Sequence, residues 1–513
     1  MCFSDGLLRD DAPLKTMAAC LAFPFRAQGG TEAPRRKTLR IRKGTIRLMN
    51  ELAQPAGSSS QAKSTDGLFG PARTWAMLAV SLSVLMALLD YAIANVALPD
   101  IARDLHASSS ASIWVVNAYQ LASLVSLLPL AALGSKVGFS RMCQFGIILF
   151  IGSSVLCAMA TTLPALAAAR VLQGIGGACI LSVNIALVRY IYPHAEIGKG
   201  IALNGVVVAM GVALGPTAAA AILTVASWPW LFWVNLPLGA AALFMAFRSL
   251  PATPRSTARP DITGSVLCML AFGALVMGGD GLAHQSGTLL SCALIGVGLL
   301  SGLLLIRRES GLPQPILPVD MLAKPDFAIA FMTGFCGFVA SNFYIISMPF
   351  TLHDVLGMSP AATGLLITPW PIGIMSAAPL VRRLADTVSA GVLSSIGLLM
   401  TATGFFLLWM MPAHPTAFDI VWRTWLAGCG FGLFQPPNNR AMMVSASHAR
   451  AGGASGMVQV ARQAGQTCGA MGVAAFFSLF VQGAALKCLF MAACVATFAA
   501  LLSSSRLLAG KKA

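Results

Sequence analysis

Charged side chains are scarce in this sequence. Asp, Glu, Lys and Arg make up only 10% of its 513 residues, against 57% hydrophobic ones, and the mean hydropathy is +0.77. A water-soluble domain carries about a quarter charged residues because its surface must face water. That shortage excludes a soluble globular protein, so lipid is the solvent for most of the chain.

Other absences narrow the class further. No GxxxxGK[ST] phosphate loop occurs, which argues against an ATP-driven pump. No CxxC pair or His/Cys cluster occurs either. Of the 12 cysteines, Cys2 and Cys20 precede the first apolar run and the others lie within apolar runs, so neither a zinc site nor a disulfide framework is expected. The six histidines (His106, His194, His284, His353, His414 and His448) fall in loops or at helix ends. His353 and Asp354 are adjacent in a loop, but no nucleophile and base are set together as a membrane hydrolase or acyltransferase needs. An enzyme is therefore not expected, nor a cofactor or metal. Acidic residues are few, 18 against 34 basic, for a net charge of +16. The basic residues sit in a leader and in short loops, without interleaved exposed aromatics. That pattern speaks for membrane topology and against a nucleic-acid partner.

What is abundant is apolar run length. A bilayer core of about 30 Å needs roughly 20 apolar residues per helix. Runs of that kind fall at 75–98, 112–134, 142–160, 164–189, 200–224, 228–247, 262–283, 287–306, 327–350, 360–381, 389–411, 417–436, 453–480 and 485–505. The reading is an all-α integral membrane protein of 14 spans. Lys136 and Arg141, Lys199, Arg248 and Arg255, Arg307 and Arg308, Arg382 and Arg383, and Arg506 recur in alternate loops, while the other loops offer little beyond Arg103 and Lys487. This Lys/Arg bias places both termini in the cytoplasm. Residues 1–73 read as a basic, disordered cytoplasmic segment, with Met49 as the natural start; 74–248 as a six-helix bundle; 249–310 as two added central helices; 311–507 as a second six-helix bundle; and 508–513 as a tail. A monomer is expected.

Ions inside membrane helices are costly and are usually paired or functional. Asp90 lies about eight residues, or roughly 12 Å, from the far end of the first span. Arg170 lies about six residues, roughly 9 Å, from the same face in the fourth. At matching depth the two can pair, either as a fixed packing contact or as a proton carrier that regains its attraction for Arg170 when the proton leaves. Asn117, Tyr119 and Gln120 lie at comparable depth and read as cavity-lining or as interhelical hydrogen-bonding groups. Gly211, Gly215 and Ala219 form a small-residue stripe that lets helices approach closely, with a kink from Pro216. Asp419 and Arg423 are spaced to pair on one helix face. Arg462 has no partner nearby in sequence and is assigned to an acidic residue across the halves or to substrate. Asp280 reads as solvated at a helix end, and Pro436 and Pro437 read as a break in the twelfth span.

Several of these residues lie in recognisable motifs. The run Leu89-Asp90-Tyr91-Ala92-Ile93-Ala94-Asn95-Val96-Ala97-Leu98-Pro99 is joined by Arg170-Val171-Leu172-Gln173-Gly174, Gly211-Val212-Ala213-Leu214-Gly215-Pro216, and Trp228 to Gly239. Over about residues 75–505 the chain resembles the major facilitator superfamily, and within it the fourteen-helix drug:proton antiporter branch. The resemblance implies a fold of two six-helix bundles plus two central helices. It also implies proton-driven export of lipophilic cations or other amphipathic small molecules, with Asp90 and Arg170 as coupling groups, Gln173 in the cavity, and the proton gradient as energy source. A symporter or facilitator for a neutral or anionic metabolite is the alternative that the surplus arginines Arg170, Arg423 and Arg462 keep open. The loop Gly134-Ser135-Lys136-Val137-Gly138-Phe139-Ser140-Arg141 departs from the family pattern, with Ser135 where an acid stands in relatives. A weaker echo at Leu384-Ala385-Asp386 keeps its acid.

Overall fold

The computed structural model describes residues 67–193, 196–253, 255, 261–283, 287–310, 319–384, 387–445, 451–480 and 482–509, all helical or turn, with no strand among them. The long helices are α1 (Gly70–Val96), α2 (Trp114–Val137), α3 (Phe139–Ala158), α4 (Leu163–Ile191), α5 (Ile197–Val225), α6 (Trp230–Ser249), α7 (Ile262–Ala283), α8 (Thr288–Glu309), α9 (Pro325–Phe350), α10 (Pro360–Leu384), α11 (Ala390–Trp409), α12 (Ala417–Val444), α13 (Ala451–Leu479) and α14 (Ala484–Ala509).

Eleven of the helices in the described residues are long and apolar enough to cross a membrane, which makes this a multi-pass membrane protein. The other three long helices, α5, α12 and α13, lie where spans are expected. Helix α5 is a single 29-residue helix whose sequence is largely apolar. Helices α12 and α13 are diluted by polar groups, among them Gln435, Asn438 and Asn439 on the first and Gln459, Arg462, Gln463 and Gln466 on the second. Polar side chains at membrane depth are tolerated where they face protein or a water-filled space, not lipid.

Local chemistry sets the helix ends. Thr162, Ser359 and Ser389 each accept a hydrogen bond from a backbone N–H in the first turn of the helix that follows, and Thr416 with Asp419 forms a reciprocal capping box on α12. Between α2 and α3 the chain turns at Gly138, whose φ of +106° disfavours any residue with a side chain.

Three readings are corrected. Helix α1 begins at Gly70, inside the segment assigned to disorder, with proline in its first turn; Arg73 there pairs with Glu196 at 2.6 Å and stacks on Tyr192. Residues 1–66 lie outside the described residues. Pro436 and Pro437 do not break α12, which runs unbroken from Ala417 to Val444. Asp280 is buried at the end of α7, where solvation was expected. The Asp419–Arg423 pair is present at 3.6 Å.

Helix α1 packs on α5 and α6; α4 packs on α2 and α3; α9 packs on α13 and α14; and α12 packs on α10 and α11. Helices α7 and α8 pack on each other. Contacts of α5 with α10 and of α13 with α2 join the first group to the second. The best span window of α1 is 72% buried and that of α8 only 22%, so α1 is an inner helix and α8 faces outward.

Candidate functional site

Asp90 and Arg170 meet. An Arg170 Nη atom donates to Asp90 Oδ2 at 2.5 Å, and both residues are at most 1% exposed. The other carboxylate oxygen, Oδ1, accepts from Gln173 Nε2 at 2.9 Å and from Asn235 Nδ2 at 2.6 Å. Arg170 also donates to the Val115 carbonyl at 2.9 Å and to Gln173 Oε1 at 2.6 Å. Its guanidinium carbon lies 4.4 Å from the centre of the Tyr119 ring and 5.7 Å from that of Phe232. Ser154 Oγ accepts from Gln173 at 2.8 Å, completing a cluster drawn from α1, α2, α3, α4 and α6.

Burying two charges is tolerable only when they pair and their remaining hydrogen-bonding capacity is used. Here both carboxylate oxygens are satisfied by three donors. Most of those donors have a second acceptor: Arg170 keeps Val115 and Gln173, and Gln173 and Asn235 keep Ser154. If Asp90 loses its charge, these donors keep an acceptor, but the buried Arg170 guanidinium, one of whose Nη atoms has no partner among the described residues, loses its counter-charge. A change of charge on Asp90 therefore leaves the hydrogen bonds in place and puts the imbalance on Arg170.

Asn235 and Ser154 were not singled out from the sequence. Asn235 stands inside the Trp228–Gly239 motif, and a polar residue in that otherwise aromatic and apolar run was the available signal. Ser154 carried none, because serines are common in membrane helices.

The other candidates distribute as follows. Tyr119 and Gln120 line a small internal space with Tyr91, Ser123 and Arg462. Asn117 is buried between the helices. Tyr91 donates to Asn342 Oδ1 at 2.6 Å, and Asn342 donates to the Gln466 carbonyl, tying α1 through α9 to α13. Arg462 donates to Gln459 Oε1 at 3.0 Å, and no acidic residue faces it among the described residues.

Below Arg462 a cavity of about 520 Å³ extends to Arg189 near the end of α4 and Asn439 near the end of α12. It opens on the face where α1 begins. On the opposite face the chain is closed. Arg103 Nη2 lies 2.8 Å from His353 Nε2, His353 Nδ1 lies 2.8 Å from Asp354, and Asp100 lies 3.7 Å from Arg103 and 3.9 Å from His353. Ser110 bonds the Ala474 carbonyl at 3.1 Å, and Thr217 bonds Thr368 at 3.0 Å. Burial raises the Asp100 carboxyl above the usual carboxylate range, against the opposing influence of His353 and Arg103.

The α5 stripe is a contact surface. A Cβ on Gly215 would stand 2.2 Å from that of Ala92, and one on Gly211 would stand 2.9 Å from that of Leu88, so α1 and α5 touch backbone to backbone. Pro216 is buried, and its carbonyl faces Gly364 of α10. At the α2–α3 turn Gly134 packs on Val183, Gly138 on Thr253, and Ser140 bonds the Pro251 carbonyl at 2.6 Å. Ser135 bonds back to the Ala132 carbonyl of its own helix, and Arg141 is exposed. Asp386 lies outside the described residues.

The Major Facilitator Superfamily profile matches residues 80–470. The chain is 46% identical over 445 residues to the uncharacterized transporter YebQ of Escherichia coli K12, covering 86% of this chain and 97% of that one. It is 30% identical to the multidrug resistance protein Stp of Mycobacterium tuberculosis, covering 77% and 74%, and 28% identical to the multidrug efflux pump LfrA of Mycolicibacterium smegmatis, covering 80% and 82%. Among solved structures, a peptide transporter POT in complex with sulfate matches with a TM-score of 0.66 at 14% identity, over 84% of this chain and 94% of that one, which shows a common fold. This chain belongs to the major facilitator superfamily, among relatives of the drug:proton antiporter type.

Proposed function

We propose that the protein is a proton-coupled exporter of amphipathic small molecules, with Asp90 as the proton carrier and Arg170 as its counter-ion. The observation that carries this reading is the fully enclosed Asp90–Arg170 pair, whose partners stay hydrogen-bonded in either charge state of Asp90. In this account protonation removes the attraction that holds α1 to α4, and loss of the proton restores it. The motion of α1 reaches α13 through Tyr91, Asn342 and Gln466.

All 14 long helices span the inner membrane in this reading, and both ends lie on the cytoplasmic face. The bundles are 74–248 and 311–507, with 249–310 as a central pair. The packing of the early helices among themselves, and of the late ones among themselves, supports that division. The cavity then opens to the cytoplasm, and the Arg103–His353 contact closes the outer face. Relatives named as a multidrug resistance protein and a multidrug efflux pump support outward transport of drug-like compounds. The lipophilic cations implied by the resemblance find no carboxylate on the cavity wall among the described residues, because Asp90 is sealed behind Arg170.

The test is discharge of a pH gradient in inside-out vesicles by a panel of lipophilic cations, neutral amphiphiles and amphipathic carboxylates. At least one class should discharge the gradient with the natural protein and fail with Asp90→Asn. Equal discharge by both proteins rules out Asp90 as the carrier.

A further inference from the structure

The charges around the cavity have a definite sum. Asp90 and Arg170 are paired and cancel. Arg462 stands at the inner end of the cavity, partly buried, with one hydrogen bond to an uncharged amide and no carboxylate facing it. Arg189 stands exposed at the mouth. No acidic residue lines the space among the described residues, so a cation entering it approaches uncompensated positive charge.

A buried, unpaired guanidinium carries a desolvation cost that only an anion or a full set of acceptors offsets. Gln459 supplies a single acceptor. In a partly desolvated space opposite charges a few ångströms apart attract far more strongly than in water, and like charges repel correspondingly. The guanidinium also offers a planar fork that matches two oxygens of one acidic group. Around it the wall is apolar, with Leu127, Leu128, Ile185, Val208 and Phe338. A cavity of about 520 Å³ falls in the size range of small-molecule sites.

We propose that the transported molecule carries a negatively charged acidic group on an apolar body, and that Arg462 holds that group. This rests on the transporter reading and names its substrate class. Tyr91 and Tyr119 wall the same space as Arg462, and the Tyr119 ring lies against Arg170, so the anion is held one aromatic layer from the proton site.

The experiment is calorimetric titration of the full chain in phosphatidylcholine nanodiscs, with no pH gradient. The probes share one apolar body: 4-phenylbutyrate, 4-phenylbutanol and 4-phenylbutyl-trimethylammonium. The carboxylate should bind at least tenfold more tightly than the alcohol or the cation. Arg462→Gln should abolish that preference, and Arg462→Lys should keep part of it. A cation that binds as tightly as the carboxylate, or a carboxylate affinity unchanged by Arg462→Gln, overturns the proposal. A second arm in discs containing phosphatidylglycerol separates a solute from a lipid headgroup. Unchanged affinity supports a solute site, whereas a tenfold loss means that lipid occupies Arg462 and also overturns the proposal. Binding at equilibrium does not depend on Asp90 carrying a proton. Carboxylate preference without gradient discharge would therefore count against the coupling reading alone.

Discussion

Removing Arg170 strips the buried Asp90 carboxylate of the opposite charge with which it pairs. Arg170→Gln deletes the 2.5 Å ion pair and leaves Gln173 and Asn235 as the donors on one oxygen. Because Asp90 is 1% exposed, water does not replace the lost partner. Breaking a buried pair from one side costs about 3–5 kcal/mol, since an uncompensated charge remains. Asp90→Asn in the same chain removes the stranded charge. The double variant should therefore be more stable than Arg170→Gln alone, with a coupling of about 3 kcal/mol at neutral pH. Thermal unfolding of the natural protein, both single variants and the double variant in one detergent completes the cycle. If the two effects simply add, the residues are not energetically coupled and the pair is incidental to both fold and mechanism.

Three further outcomes follow from the same geometry. Gly215→Ala places a methyl 2.2 Å from the Ala92 Cβ, where ordinary contact begins at 3.4 Å; overpacking of about 1–3 kcal/mol should move α1 and cut transport, read as initial rate at equal protein level. The closed outer face should be favoured by acid: burial raises Asp100, so that face holds the proton more tightly than an open, solvated one, and its contribution is lost as pH rises through the raised value. In a His353→Gln background, which silences the adjoining imidazole, labelling of a cysteine at Ser110, buried on that face, measured relative to a free thiol at the same pH, should slow as pH falls, and Asp100→Asn should flatten that dependence. Cysteines placed at His414 and Arg308 should react with an impermeant reagent from outside and from inside the cell, respectively, and the reverse pattern would overturn the assigned orientation.

The helices were readable because lipid demands a fixed run length and leaves little else to choose. The meeting of Asp90 with Arg170 was readable too, since depth along a straight helix can be counted from its ends. What surrounds that pair was not. Ser154 and Asn235 come from α3 and α6, and their rotation about those helix axes is set by packing that no local pattern encodes. Pro436 and Pro437 looked like a break, yet α12 runs through them, since neighbouring helices can support a backbone that local propensity disfavours. Arg462 was visible as an isolated charge. Only the assembled cavity shows that no acid faces it among the described residues, because much of the surrounding wall comes from helices hundreds of residues away in sequence.

The central claim is that one proton on Asp90 switches the transporter between its two faces. The most direct measurement is the spin-label distance across the cavity mouth, between labels at Asn204 and Asn439, in the natural protein and in Asp90→Asn with no substrate present. The account predicts that the natural protein shifts between two distance populations as pH is varied, and that Asp90→Asn, compared in an Asp100→Asn background, shows the acid population at every pH. A pH-dependent shift of the same size and midpoint in Asp90→Asn would contradict it and place the switching proton on another group.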